Sequence, residues 1–383
     1  MTASDIANLL EQSEILHSRV RVFASGEAGS EESFERLALD IADYQLLGAP
    51  GLRRLVEARA VAFGTVQEIP AVTTDSFRLG RVAVHPPELD VVRFATSGTT
   101  GPAGIHALRT TETYRQLALH LGAQALGVGA GEPRVVVALA PPPPEPPSSS
   151  LGFMMQAFME EWDGRALAVD PAGASFDARA SSRWLAGPGG IDVAGLRRAA
   201  LVAQQRQEPF LVLATSFALL SMLDALAGAR IPAPKRTVVM QTGGFKGQRR
   251  TVEPRQLRAA VARAFKIPRS QVVGEYGMTE LASQLYEGTL EYGGLRGPAQ
   301  VYLEPPWLRV TAVHPATLAP VPDGEVGLAR IVDLANVDSA VAVLTQDLVR
   351  RRDGGVDLLG RRPRVVPRGC SLSSEALLFG GGQ

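Results

Sequence analysis

The run Thr96-Ser97-Gly98-Thr99-Thr100-Gly101, set in VVRFATSGTTGPAGIHALRTTETY (residues 91–114), decides how this chain reads. A hydrophobic approach ends there in small residues, with glycine at two positions. Such a loop can aim successive backbone N–H groups and hydroxyls at an anion. It is not the G-x-x-x-x-G-K-[ST] phosphate loop, because no Lys-Ser or Lys-Thr follows. Taken alone, the run suits a plain Ser/Thr/Gly turn equally well.

The surroundings are those of an ordinary globular protein. The chain has 383 residues, 45% hydrophobic and 20% charged, enough for two domains or one large one with an appendage. Lys plus Arg and Asp plus Glu both count 39, so the formal net charge is zero. That balance argues against a general nucleic-acid binder. The start, MTASDIANLLEQSEILHSRV, lacks a basic segment followed by an apolar core, so no signal peptide is expected. The longest apolar run, FLVLATSFALLSML (residues 210–223), is too short and too interrupted to span a bilayer. It reads as a buried strand followed by a helix capped by Thr215 or Ser216. A cytoplasmic location is expected. The single cysteine, Cys370, excludes an internal disulfide and a Cys-rich zinc site. A lone cysteine is by default a small buried hydrophobe.

Residues 1 to about 65 read as helical. In SFERLALDIADYQL, Phe34, Leu37, Leu39, Ile41 and Leu46 fall near helical spacing, and Ser33 is placed to cap. From about 85 to 345, β-rich runs (RVVVALA, ALAVD, PFLVLA, RTVVMQTGG, SQVVGEYG) alternate with helical stretches such as AGLRRAALVAQQRQ. That alternation predicts an α/β architecture with largely buried sheets. PPPPEPPSSS (residues 141–150) must be a loop, and it follows a strand, where α/β proteins usually place binding loops. After about 300, PPWLRVTAVHP, GEVGLARIVDL and VAVLTQDLV read as strands with turns.

Further motifs follow in order. GEYGMTELASQLY (residues 274–286) sets Tyr-Gly-x-Thr-Glu after a strand. LTQDLVRRRDGGVDLLGR (344–361) holds Asp347, a turn at Asp353-Gly354-Gly355, and Gly360-Arg361. Together with the Thr96–Gly101 run, these resemble the adenylate-forming superfamily of acyl-CoA ligases and peptide-synthetase adenylation domains. That superfamily carries [ST]-S-G-[ST]-T-G, Y-G-x-T-E and G-D-L…G-R motifs. MQTGGFKGQRR (240–250), the extended EYGMTELASQLY and PRGCSLSSEALL (367–378) are similar to one branch, the acyl-protein synthetases (long-chain-fatty-acid–protein ligases) of bacterial luminescence fatty-acid reductases. The resemblance runs from about residue 33 to 380.

It implies the large domain of an adenylate-forming enzyme, with α/β subdomains and a small β-rich portion, over 1–355. A short, truncated C-terminal arm over 356–383 would carry Cys370. The implied activity is ATP- and Mg²⁺-dependent activation of a carboxylic acid, of fatty type, as acyl-AMP. Matched to the family, Thr96, Ser97, Gly98, Thr99, Thr100 and Gly101 would cradle the β- and γ-phosphates. Thr279 would sit near the α-phosphate and Glu280 would bind Mg²⁺, since hard cations favour carboxylate and phosphate oxygens. Gly243 and Gly244 would let the backbone lie against adenine, Tyr276, followed by Gly277, would stack on it, Asp347 would accept hydrogen bonds from the ribose hydroxyls, and Arg361 would be a further cofactor-binding residue. Asp347 follows Gln346 rather than the family's Gly. Outside the motif, Glu280 and Asp347 would be solvated surface charges.

The superfamily loop often continues Pro-Lys-Gly; here it continues Pro102-Ala103-Gly104, which favours the narrower branch. Lys246, in GGFKG, is the substitute cation for phosphate or carboxylate, or else a plain surface lysine. Acyl-CoA ligases carry a lysine-bearing C-terminal domain, whereas 22 residues follow Arg361 here and none is lysine. The family's acylated cysteine matches Cys370, and nearby Arg364 and Arg368 would favour its thiolate. The acyl group would then pass to a reductase or carrier. Two alternatives stay open: an aryl- or amino-acid ligase using an external thiol, and a nucleotide-binding relative without turnover.

Overall fold

The computed structural model describes residues 2–27, 29, 32–59, 63–96, 102–243, 252–352 and 354–362. Three helices open the chain, α1 (Ala3–Ser25), α2 (Phe34–Gly48) and α3 (Pro50–Arg59). Ser33 caps α2 through its hydroxyl, which accepts from the Arg36 amide, satisfying one of the helix's orphan donors. A short strand β1 (Val72–Thr73) and the one-turn α4 (Ser76–Leu79) lead to a hairpin of β2 (Val92–Ala95) and β3 (Ile105–Leu108). Next come α5 (Glu112–Leu126), β4 (Val135–Leu139), α6 (Ser150–Trp162) and the small ladder β5 (Ala186–Gly187) with β6 (Gly190–Ile191). The succession α7 (Val193–Arg206), β7 (Phe210–Thr215), α8 (Ser216–Leu226), β8 (Thr237–Thr242), α9 (Pro254–Phe265) and β9 (Val272–Tyr276) completes the alternating part. Strands alone follow: β10 (Leu285–Glu287), β11 (Val301–Leu303), β12 (Leu308–Val313), β13 (Val326–Asp333), β14 (Ala342–Arg352) and β15 (Gly355–Arg361).

One mixed sheet of 11 strands organises the molecule, in the order β12-β13-β14-β15-β11-β10-β9-β8-β7-β4, with β1 beside β14. β4, β7, β8 and β9 run parallel, and the remainder of that path is antiparallel. The parallel strands read as continuous apolar runs because both faces are covered. Val136 and Ala138 of β4 pack into the cluster holding Leu117, Met154 and Phe158 of α5 and α6. Val135, Val137 and Leu139 join Leu196, Leu219, Leu257 and Phe265 of α7 to α9 on the other face. The expected α/β fold with a later β-rich portion is therefore present.

Thr215 is the residue that caps α8: its hydroxyl accepts from the Ala218 amide. Residues 141–149 form the expected loop, and Ser149 caps α6. One expected strand is absent. ALAVD (166–170) is a turn, in which the Leu167 amide donates to Asp170 Oδ2 at 2.8 Å and the Asp170 amide to the Leu167 carbonyl at 3.0 Å. The edge of β4 is covered instead by the segment around Trp184, whose neighbours Arg183 and Leu185 exchange backbone hydrogen bonds with Ala138. Leu167 is buried, so its apolar signal reported burial and not a ladder. Among the described residues no helix is long and apolar enough to cross a membrane.

Candidate functional site

The C-terminal ends of the parallel strands carry the candidate residues, where open α/β sheets bind ligands. β8 and β9 pair in register up to Thr242 and Glu275. One step further on, Gly243 leaves the sheet with φ +65°, a conformation that costs glycine nothing and strains other residues. Its carbonyl accepts from the Ser216 hydroxyl at the start of α8, at 2.6 Å.

Tyr276 ends β9. Its hydroxyl donates to Asp347 Oδ2 at 2.8 Å, and Arg361 Nε donates to Asp347 Oδ1 at 2.8 Å. Asp347 and Arg361 face each other across the β14–β15 pair, and a register irregularity follows Asp347. Asp347 is buried, with its own amide turned onto the Thr345 hydroxyl. Burial and the neighbouring Asp347 charge push the Tyr276 phenol well above its ordinary value. Burial works against the Arg361 charge, but Asp347 more than offsets it. The Glu280 carboxylate adds to the field on both Tyr276 and Arg361, which puts it within electrostatic range of the cluster.

Thr279 and Glu280 lie between β9 and β10, in a segment held by buried polar groups. His106 of β3 donates from Nδ1 to the Thr279 carbonyl at 2.8 Å. Asn336 Nδ2 donates to the Glu280 carbonyl at 3.0 Å, and the Ala282 amide donates to both Asp333 and Asn336. Burial raises the Asp333 carboxyl to about 6 although the Ser283 hydroxyl and three amides favour its ionised form. Behind Gly277 lies a fully buried acid, Glu275, which burial pushes up to about 7 against the hydrogen bond donated by Thr242. A Cβ at Gly277 would stand 2.7 Å from Glu275 Oε1, so a side chain there would have to push the buried carboxyl aside.

Thr96 stands at the mouth of the β2–β3 hairpin. Its amide donates to the Gly104 carbonyl and its hydroxyl accepts from the Gly104 amide, both at 2.9 Å. The Ala95 amide donates to the Ser148 carbonyl, which draws the end of the proline-rich loop alongside. Ser97, Gly98, Thr99, Thr100 and Gly101, with Gly244, Lys246 and Cys370, lie outside the described residues. Of the candidates that are described, the structure gathers Tyr276, Asp347 and Arg361 into direct contact, with Glu280 in electrostatic range. It places Gly243 one step past Thr242, the register partner of Glu275, so beside Tyr276 on the neighbouring strand end. Glu275, His106, Asp333, Asn336 and Ser339 are polar groups of this region that sequence reading missed. Only Glu275 stood inside a recognised motif, next to Tyr276.

Among the described residues no group of three or more His, Cys, Asp or Glu side chains could cage a metal ion. The Glu280 carboxylate supplies one hard oxygen donor, and a single such donor fits Mg²⁺ bound mainly through substrate phosphates and water.

No family model and no curated protein sequence matches the chain. Solved structures match its fold. An open conformation of 2-hydroxyisobutyryl-CoA ligase in complex with 2-HIB-AMP and CoA is 14% identical, with a TM-score of 0.57, covering 85% of this chain and 73% of that one. The same ligase in its thioesterification state, also with 2-HIB-AMP and CoA, is 14% identical with a TM-score of 0.58 over 94% of this chain and 69% of that one. Its postadenylation state with 2-HIB-AMP gives 13%, 0.58, 92% and 68%. At such identities the likeness is one of fold. The chain has the fold of adenylate-forming acyl-CoA ligases.

Proposed function

We propose that the chain is an ATP- and Mg²⁺-dependent acid–thiol ligase that activates a carboxylic acid as its acyl-adenylate. The observation that carries this reading is the Tyr276–Asp347–Arg361 cluster at the strand ends, with Glu280 in range, on a fold shared with a ligase solved with an acyl-AMP. A carboxylate is a poor acyl donor because its oxygen is a bad leaving group. In the first step a carboxylate oxygen attacks the α-phosphorus of ATP, the bond to the β-phosphate oxygen breaks, and pyrophosphate leaves. Asp347 has lone pairs left beside those taken by Tyr276 and Arg361, and these accept from the ribose hydroxyls. Thr279 and the backbone of the Thr96–Gly101 loop meet the phosphates, where negative charge develops. Glu280 would hold Mg²⁺, which neutralises phosphate charge when bound.

In the second step a thiolate attacks the acyl carbon, the acyl–phosphate C–O bond breaks, AMP leaves, and the thiol proton goes to solvent. Cys370, in RGCSLSSE beside Arg368, is the acceptor we favour, with a fatty acid as substrate and a reductase or carrier as the next acyl acceptor. A second reading is favoured by the CoA in the similar ligase structures: an external thiol takes the acyl group directly. Carboxylate-dependent ATP–pyrophosphate exchange over a panel of acids tests the first step. No exchange with any acid, in a protein that is folded, rejects it. Intact mass after incubation with ATP and the preferred acid separates the two acceptors.

A further inference from the structure

The β2–β3 hairpin and the Thr279–Glu280 segment are distant in sequence, yet one side chain joins them. His106 lies on β3, opposite Phe94 of β2 and two residues past Gly104, whose amide binds Thr96. Its ring is fully buried. Nδ1 stands 2.8 Å from the Thr279 carbonyl, which can only accept, so Nδ1 carries the proton. Nε2 stands 2.8 Å from Ser339 Oγ, and in the neutral ring it accepts the serine proton. Phe77 meets the ring edge-on at 5.7 Å, so its plane is fixed from a third direction.

The Ser339 end is as firmly placed. Ser339 sits between Asp338 and Ala340, in the turn where Asn336 Nδ2 donates both to the Ala340 carbonyl and to the Glu280 carbonyl. Asp338 is held in turn by Ser13, His17 and Tyr44 of α1 and α2. The carbonyls of Thr279 and Glu280, consecutive in the chain, are thus gripped by His106 and Asn336 respectively. Burial lowers the His106 imidazole to about 4, so it is neutral at ordinary pH and both hydrogen bonds keep the directions given above.

We infer that His106 is a positioning residue for the adenylation step: by holding the Thr279 carbonyl it sets the distance between the β2–β3 hairpin, with Thr96 at its mouth, and the Thr279–Glu280 segment. One ligand, MgATP, would have to be met by both pieces at once, so their spacing bears directly on its binding. The inference rests on the adenylation reading for its consequence, though not for its geometry.

Two substitutions separate positioning from packing. Asparagine at 106 carries an amide nitrogen where Nδ1 lies and can still donate to Thr279. Glutamine reaches towards Ser339 and leaves the Thr279 carbonyl without its donor. His106→Gln should raise the KM for MgATP in pyrophosphate exchange about tenfold, the worth of one such bond, with a smaller change in kcat. It should also speed amide hydrogen exchange of the peptide spanning 277–284 in nucleotide-free protein by a similar factor. His106→Asn should stay within about threefold of wild type in both measurements, and Ser339→Ala should fall between the two. Equal losses in the Gln and Asn variants would reduce His106 to packing and overturn the inference. An unchanged peptide in His106→Gln would overturn it too, and robust wild-type exchange would leave the adenylation reading standing. If wild type shows no acid-dependent exchange while the Gln variant still loosens the peptide, the adenylation reading falls and the positioning geometry stands.

Discussion

The Tyr276 hydroxyl donates to Asp347 Oδ2 at 2.8 Å, across 71 residues of chain, and Arg361 Nε takes the other carboxylate oxygen. Removing Asp347 therefore does two things. It deletes the proposed ribose acceptor, and it leaves the Tyr276 phenol and the Arg361 guanidinium without the carboxylate they share. Asp347→Ala should raise the Kd for ATP roughly 10- to 100-fold, the range for a lost hydrogen bond to a charged group, with a smaller effect on kcat. Nucleotide titration calorimetry measures it, and an unchanged Kd would remove Asp347 from the site.

Glu280 is the one hard donor assigned to the metal. Glu280→Gln keeps the size of the side chain and removes its charge. Mg²⁺-dependent exchange should fall on the order of a hundredfold or more, since a metal ion contributes several kcal/mol of charge stabilisation. Exchange at the wild-type rate over a Mg²⁺ titration would sink the assignment.

Glu275 gives a stability signature with a definite sign. Its carboxyl is raised in the folded protein from 4.5 to about 7 by burial. The native state therefore keeps a proton that the unfolded state loses near 4.5. The contribution to stability is complete below pH 4.5 and is lost as pH rises through 7. The difference amounts to about 3 kcal/mol. Glu275→Gln should accordingly raise the unfolding free energy at pH 8 by about this amount, and should flatten the pH dependence between 4.5 and 7 relative to wild type. Parallel pH–stability curves for the two proteins would show that Glu275 titrates in the folded protein as it does in the unfolded chain.

Asp338 behaves in the opposite sense. Burial alone would raise its pKa, but hydrogen bonds from His17 and Ser13 and the Arg109 charge hold it well below the usual carboxylate range. Asp338→Ala would remove the buried acceptor that His17, Ser13 and Tyr44 share and loosen α1 and α2 from the turn at residues 336–340. A loss of about 3 to 5 kcal/mol is expected, the usual cost of removing one partner of a buried pair. A denaturant midpoint equal to wild type would contradict it.

Much of this fold could be read from residue order alone, for physical reasons. β7 and α8 were visible because a β-branched and leucine-rich run meets a hydroxyl cap at Thr215, a local event. The strands of the parallel core were visible because burial on both faces forces continuous apolar runs. The same logic failed at ALAVD (166–170), where Leu167 alone is buried and the Asp170 side chain holds a turn. Tyr276, Thr279, Glu280 and Asp347 stood out by motif. What no local pattern could show is the frame behind them. His106 reaches Thr279 across 173 residues and Ser339 across 233, and a buried histidine in IHAL has no sequence signature.

The last prediction concerns Cys370, the only cysteine of the chain. If it accepts the acyl group, activation and transfer are separable. Cys370→Ser leaves Glu280, Asp347 and the Thr96–Gly101 loop intact, so acid-dependent pyrophosphate exchange should proceed at close to the wild-type rate. The same variant should form no thioester, because a serine hydroxyl without an adjacent base is a far weaker nucleophile than a thiolate. Wild type incubated with ATP and its acid should gain the acyl mass, lose it to hydroxylamine, and carry the label on the peptide containing Cys370. Arg368→Glu should slow that transfer and leave exchange untouched, since a neighbouring negative charge raises the thiol pKa and lowers the thiolate fraction at neutral pH. A wild-type protein that makes acyl-AMP with its preferred acid and never gains acyl mass would reject self-acylation. Acyl transfer to added CoA under the same conditions would then identify the external thiol as the acceptor.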